Sequence, residues 1–204
     1  STISGTSTRA FFPRESTWRM SWIYTWVLPL PVTPYSRAAA GFPPANIAGP
    51  YFEDEAYISA LAESAGRSLG GAEFLVGGFH GLPLSTPGVA DYAAQCSRTL
   101  ELLSVRLGVP SGLAWQSVMG CGRWTSPEIA PFVRGLAASG VRRIAVVCPG
   151  FFCDCLETSA EIALNLRKTF LESGGESFVY IPCLNDGGTQ TALLERICTR
   201  HGLS

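Results

Sequence analysis

From Glu73 to the end of the chain, short apolar runs alternate with longer stretches whose apolar residues recur at helical spacing. That alternation constrains the fold more than any other feature of the sequence. Phe74-Leu75-Val76-Gly77-Gly78-Phe79 is an apolar run closing on His80. Residues 91–107 place Tyr92, Cys96, Leu100, Leu103 and Leu107 on one side of a helix, which Gly108 and Pro110 stop. A short strand over 114–119 and a helix over 127–138, ended by Gly140, come next. Residues 143–148 (Arg-Ile-Ala-Val-Val-Cys) form the near-continuous apolar run of a strand buried on both faces. The spacing then predicts an amphipathic helix over 156–173 ending at Gly174-Gly175. A strand over 178–181 is stopped by Pro182, and a last helix covers 191–200.

Strands that alternate with helices give an α/β class with a mostly parallel sheet flanked by helices. Ligands of such sheets sit beyond the carboxyl ends of the strands. His80, Pro149-Gly150 and Asn185-Asp186 each follow a predicted strand, so they are expected on one rim. The first fifty residues are less regular. Residues 22–30 read as a strand, but Pro13, Pro29, Pro31, Pro34, Pro43, Pro44 and Pro50 interrupt what surrounds it. Helical character resumes over 53–67, and a boundary is expected near Pro50.

Composition narrows the function classes. Hydrophobic residues make up 47% and charged residues 15% of the 204, which supplies a core and argues against disorder. A net charge of −1 leaves no basic surplus to hold a phosphate backbone, so nucleic acid is not an expected partner. The apolar stretch 22–32 is short and contains Pro29 and Pro31, so it reads as a buried strand rather than a membrane span. Residues 1–8 lack the basic flank and apolar core of a secretion signal. Seven cysteines with no framework spacing fit free thiols in a reducing, cytoplasmic setting.

Few residues are placed to do chemistry. The chain has two histidines. His201 falls at the end of the last helix near the C-terminus, where a cation suits the helix dipole. His80 ends an apolar strand and precedes the loop-forming Gly81-Leu82-Pro83, which suits either a structural or a functional imidazole. In Cys148-Pro149-Gly150-Phe151-Phe152-Cys153-Asp154-Cys155-Leu156-Glu157, a strand runs through a turn into a helix. Asp154, Glu157 and Glu161, three and four apart, fall on one helical face. One reading is a helix cap, with Asp154 as the cap and Glu157 as its box partner. The other is a ladder of carboxylates that passes a divalent cation and takes up protons. Cys153 and Cys155 are too few thiolates for a closed metal site, and Cys148 and Cys183 are expected to approach across neighbouring strands as buried thiols. Trp115, Trp124, Phe151 and Phe152 suit either the wall of a flat apolar pocket or the core. The paired glycines Gly77-Gly78 and Gly187-Gly188 match no nucleotide-binding fingerprint.

Three segments together resemble ferrochelatase. The first is Phe79-His80-Gly81-Leu82-Pro83 followed by Asp91-Tyr92-Ala93-Ala94-Gln95-Cys96. The second is Trp115-Gln116-Ser117 with Gly120, Trp124 and Pro127. The third, and most specific, joins Val147-Cys148-Pro149-Gly150-Phe151 and Asp154-Cys155-Leu156-Glu157-Thr158 to Tyr180-Ile181-Pro182-Cys183-Leu184-Asn185. A weaker match covers Val27-Leu28-Pro29-Leu30 and Pro34-Tyr35-Ser36. The chain departs from the family pattern where Val118 and Met119 stand in place of Arg-Phe and where Thr125 follows Trp124.

The resemblance implies two similar Rossmann-like (chelatase-like) domains with a porphyrin bound between them. Residues 1–52 would be a remnant of the first, and 53–204 the second, carrying the metal-site histidine and the acidic helix. It implies His80 as metal-site histidine and acceptor of pyrrole protons, with Glu157 as its partner acid. Glu161 would be the next acid along the helix, and Asp154 a supporting acid behind the site. Trp124, Phe151 and Pro149 would border the porphyrin. The implied activity is a lyase that inserts Fe²⁺ into protoporphyrin IX or coproporphyrin III in haem biosynthesis. Two further readings remain: an inactive porphyrin- or metal-binding fragment, and a related tetrapyrrole chelatase. No organic cofactor is implied; ferrous iron and the porphyrin are substrates. Some family members hold an iron–sulfur cluster through cysteines in a C-terminal extension. The tail here carries only Cys198, so no cluster is expected. Peripheral membrane contact and self-association are compatible with this reading.

Overall fold

A computed structural model of the chain describes residues 50–118 and 122–200. The strand expected over 22–30, the expected domain remnant up to residue 49, and His201 lie outside the described residues.

Four parallel strands form one sheet in the order β2-β1-β3-β4. In chain order the elements are α1 (Glu55–Ser68), β1 (Phe74–His80), α2 (Val89–Leu107), β2 (Ser111–Gln116), α3 (Ile129–Ala138) and β3 (Arg143–Val147). Then come α4 (residues 157–172), β4 (Ser177–Ile181) and α5 (Gly188–Arg200). Each element was legible in the sequence as strand or helix, and an all-parallel sheet flanked by helices is the α/β class expected.

Alternation along the strands builds two cores. Leu75, Phe79, Trp115, Ala145, Val147 and Ile181 point to one face and pack against α1, α2 and α5. Val76, Ala114, Ile144, Val146, Cys148 and Phe178 point to the other and pack against α3 and α4. Covering both faces is what a parallel sheet requires, and each fully buried Leu, Ile or Phe contributes about 1.5–3 kcal/mol. Close approach is secured at Gly77, where an added Cβ would lie 2.8 Å from the Leu100 side chain. The α2 helix stops at Gly108, whose φ of 66° is the left-handed cap conformation that glycine adopts without strain.

Several boundaries differ from the sequence expectation by one to three residues, the last helix beginning at Gly188 rather than 191, and two of the differences have a visible cause. The second strand runs over Ser111–Gln116 rather than 114–119. Ser111, Gly112 and Leu113 pair with Leu75, Val76 and Gly77, and the ladder ends where Ser117 turns to φ 59°. The third helix begins at Ile129 rather than residue 127, because Pro127 still lies along the sheet and its carbonyl accepts from the Trp115 N–H. Among the described residues no helix is long and apolar enough to cross a membrane.

Sheet order decides where a ligand can sit. The chain leaves β1 toward β2 on one side, then returns to place β3 on the other. The loops after β1 and β3 therefore diverge in opposite directions, opening a crevice at the carboxyl end of the sheet. His80 ends β1, and the segment 148–156 follows β3.

Candidate functional site

His80 is held at the rim from several sides. It pairs in register with Gln116 of β2, and its carbonyl accepts from the Tyr92 hydroxyl at 3.0 Å. Phe79 belongs to the α1–α2–α5 core, so its neighbour His80 falls on the opposite face, the one that α3 and α4 cover. The loop beyond it is zipped to a second segment: Thr125 N–H donates to Leu82 O, and Leu84 N–H to Arg123 O. The Leu82 N–H meets Thr125 Oγ1 at 3.1 Å, and Pro83 bridges Trp124.

The acidic helix departs from expectation in kind. Its first ten residues, Glu157–Leu166, form a π-helix that continues as α-helix over Arg167–Glu172. Runs of i→i+5 bonding are rare and concentrate at functional sites. Ile162, Leu166 and Phe170 anchor α4 in the second core. Glu157 and Glu161 are both half-buried.

Glu157 lies near enough to His80 for their charges to interact. Burial pushes the His80 imidazole below its usual 6.5, and the Glu157 carboxylate pulls it only part of the way back. The imidazole is thus a neutral proton acceptor near pH 7. Glu157 is held below the usual carboxylate range by the Cys155 thiol and its own backbone N–H, against some burial, with His80 adding to the effect. A neutral base beside an ionised carboxylate suits a site that takes protons from a substrate and attracts a cation.

A stability prediction follows from the His80 shift. A group whose folded value is depressed contributes stability that is present above its unfolded value and lost as the pH falls through the folded one. Lowering the pH from about 7.5 to about 5.5, across the ordinary imidazole value, is expected to lower the urea midpoint of the parent chain more than that of His80→Gln. Equal losses in the two proteins would refute a buried, neutral His80.

Glu161 stands one turn beyond Glu157 and accepts from Ser117 Oγ at 2.8 Å. It borders an open cavity of about 260 Å³ between β2 and α4, with Gln116, Ser117, Asn165 and Thr169. His80 and Glu157 do not line this cavity, which adjoins the rim at Gln116, the register partner of His80, and at Glu161. Among the described residues, no group of three or more His, Cys, Asp or Glu is arranged to enclose a metal ion.

Asp154 does not cap the helix. The cap position is Leu156, which makes no side-chain cap bond, and the Cys155 N–H turns instead to Thr158 Oγ1 at 2.9 Å. The Asp154 carboxylate faces the loop after β4, where it accepts from Tyr180 Oη at 2.5 Å, Asn185 Nδ2 at 2.8 Å and Cys183 N–H at 3.2 Å. Burial would raise its pKa, but these bonds outweigh it and hold it below the usual range.

The remaining candidates divide between core and rim. Phe151 is 4% exposed and packs in the second core, and Trp115 lies in the first against Tyr92. Neither presents a ring face at the rim. Pro149 is buried, and its carbonyl accepts from Tyr57 Oη at 2.5 Å. Phe152 is half-buried beside Tyr51, and Trp124 keeps partial exposure next to Pro83. Leu84 and Leu156, both exposed, add apolar surface to loops at the strand carboxyl ends. Cys148 is a buried free thiol, close enough to Cys183 for their charges to interact. Cys153 is exposed rather than buried. The sequence reading missed Ser117, Tyr180 and Thr158. Only hydroxyls next to a strand end or an acidic helix signalled them.

A family model described as ferrochelatase matches residues 35–202. A ferrochelatase of Rhodopseudomonas palustris is 41% identical over 167 residues, covering 78% of this chain and 48% of that protein. One from Rhizobium johnstonii is 43% identical over 159 residues, covering 74% and 46%. One from Gluconobacter oxydans is 43% identical over 161 residues, covering 74% and 47%. The chain spans about half the length of the curated relatives it matches. That model covers well over half of the chain, so the chain belongs to the ferrochelatase family.

Proposed function

We propose that the His80–Glu157 rim takes part in inserting Fe²⁺ into a porphyrin, protoporphyrin IX or coproporphyrin III, in haem biosynthesis. The observation that carries this reading is a buried His80 within electrostatic reach of the half-buried Glu157 carboxylate, at the crevice between β1 and β3. Insertion exchanges one Fe²⁺ for two pyrrole protons. His80 accepts the two protons one after the other and passes each toward solvent along the polar path of Glu161 and Ser117, while Glu157 draws the cation and stabilises the imidazolium. Trp124, Leu84 and Leu156 supply apolar rim surface for the macrocycle. Iron is substrate here rather than a resident ion. The chemistry calls for no organic cofactor and suits the cytoplasm, with self-association and peripheral membrane contact as further expectations.

The test is Soret-band spectroscopy of the chain with a porphyrin and Fe²⁺ or Zn²⁺. Insertion is expected, and Glu157→Gln is expected to slow it by about 100-fold or more, as befits a group handling charge in the reacting complex. Tight porphyrin binding with no insertion by the parent protein would favour a binding module, the second reading that the half-length match supports. Insertion unaffected by Glu157→Gln would remove that residue from the site.

A further inference from the structure

We infer that Asn185, in the loop after β4, is a positioning residue that sets the start of α4 and so the place of Glu157; the inference rests on the metal-handling role proposed above. Asp154 and Asn185 are joined by a reciprocal pair of bonds. The Asp154 N–H donates to Asn185 Oδ1 at 2.8 Å, and Asn185 Nδ2 returns a bond to Asp154 Oδ2 at 2.8 Å. The Asn185 N–H donates to Phe152 O at 2.9 Å, and its Nδ2 also reaches Cys183 O at 3.0 Å. One side chain and its backbone thus tie residues 152 and 154, on the way into α4, to the loop after β4.

The geometry suits this residue type. Asn185 has φ 53°, the left-handed region that asparagine enters more readily than most side chains. Tyr180 Oη and Cys183 N–H occupy the other carboxylate oxygen of Asp154, so its orientation is fixed on both sides. Glu157 follows three residues later on a helix with no side-chain cap bond. Rotation of Asp154 would therefore pass directly into the direction of the Glu157 side chain. Partners that orient metal-handling groups typically weaken metal affinity when removed, though they touch neither metal nor substrate.

Two measurements on the 204-residue chain test this. Asn185→Gly keeps the left-handed backbone but deletes the clasp. Amide hydrogen exchange at residues 154–157 is expected to rise, with the β3 amides unchanged. Affinity for Zn²⁺, read by calorimetry with His80→Ala as the reference for the site, is expected to fall about 10- to 100-fold. Asn185→Asp sets a second carboxylate against Asp154 and is expected to give the same two changes, which keeps the test decisive if the glycine variant does not fold. Parental exchange and parental Zn²⁺ affinity in the variants would overturn the inference. So would faster exchange with parental affinity, since Glu157 would then be held in place by something else. A parent that binds no Zn²⁺ through His80 would instead sink the functional reading of the rim. The exchange data would still decide the clasp, unchanged rates refuting it.

Discussion

Replacing His80 by Ala is expected to abolish metal insertion while leaving the chain folded. The imidazole is 8% exposed, yet it belongs to neither apolar core. Two of its ties to the fold run through the backbone: the register with Gln116 and the bond from Tyr92 Oη to its carbonyl both survive truncation at Cβ. Loss of the proton acceptor should cost about 100- to 10,000-fold in rate, the span of general-base contributions. The measurement is initial rate by Soret absorbance, paired with far-UV circular dichroism and a melting curve. Turnover within about tenfold of the parent would end the assignment. A collapsed melting transition would mean that His80 is needed for folding.

Replacing Phe170 by Ala is expected to destabilise the fold by about 3–5 kcal/mol, the range for deleting a buried aromatic ring. Phe170 is fully buried, and its ring packs against Phe178 with centroids 6.4 Å apart. The backbone beyond it has closed tightly on the ring: a Cβ added to Gly175 would fall 2.2 Å from Phe170 Cε1. Gly175→Ala should therefore also destabilise, by about 1–3 kcal/mol, through overpacking rather than a cavity. The Phe170 effect reaches the site, because this ring anchors the far end of the helix that carries Glu157 and Glu161. Urea unfolding checks both changes. A loss below about 1 kcal/mol for Phe170→Ala would show that the cavity refills from its neighbours.

The sequence reveals most clearly what depends on pattern. The run Arg-Ile-Ala-Val-Val forms a strand buried on both faces, and the helix read over residues 91–107 starts two residues earlier, at Val89. The shared rim of His80, Pro149-Gly150 and Asn185 follows from parallel strands alone. The start of β2 was hidden because Gly112 carries no apolar side chain. Its place is filled by Phe74 and Phe132, whose rings an added Cβ would strike. The π-helix was hidden because helix propensities report on helical dihedrals generally, not on which carbonyl each N–H meets. The cap reading of Asp154 fails for a similar reason. An acid three residues before a glutamate is a local cap signal, whereas its partners Tyr180, Cys183 and Asn185 lie roughly thirty residues downstream. Phe151 gave no sign of which side of the turn it would occupy, since an aromatic ring suits core and pocket equally.

The bond from Tyr57 to the Pro149 carbonyl gives the site a mechanical character. It fastens the turn after β3 to α1, which packs on the sheet face opposite α4. The turn is thereby an abutment: it is pinned from below by Tyr57, and the segment that leaves it toward α4 is held again where Asn185 bonds residues 152 and 154. A flat ligand pressing into the crevice would meet a wall braced at two points.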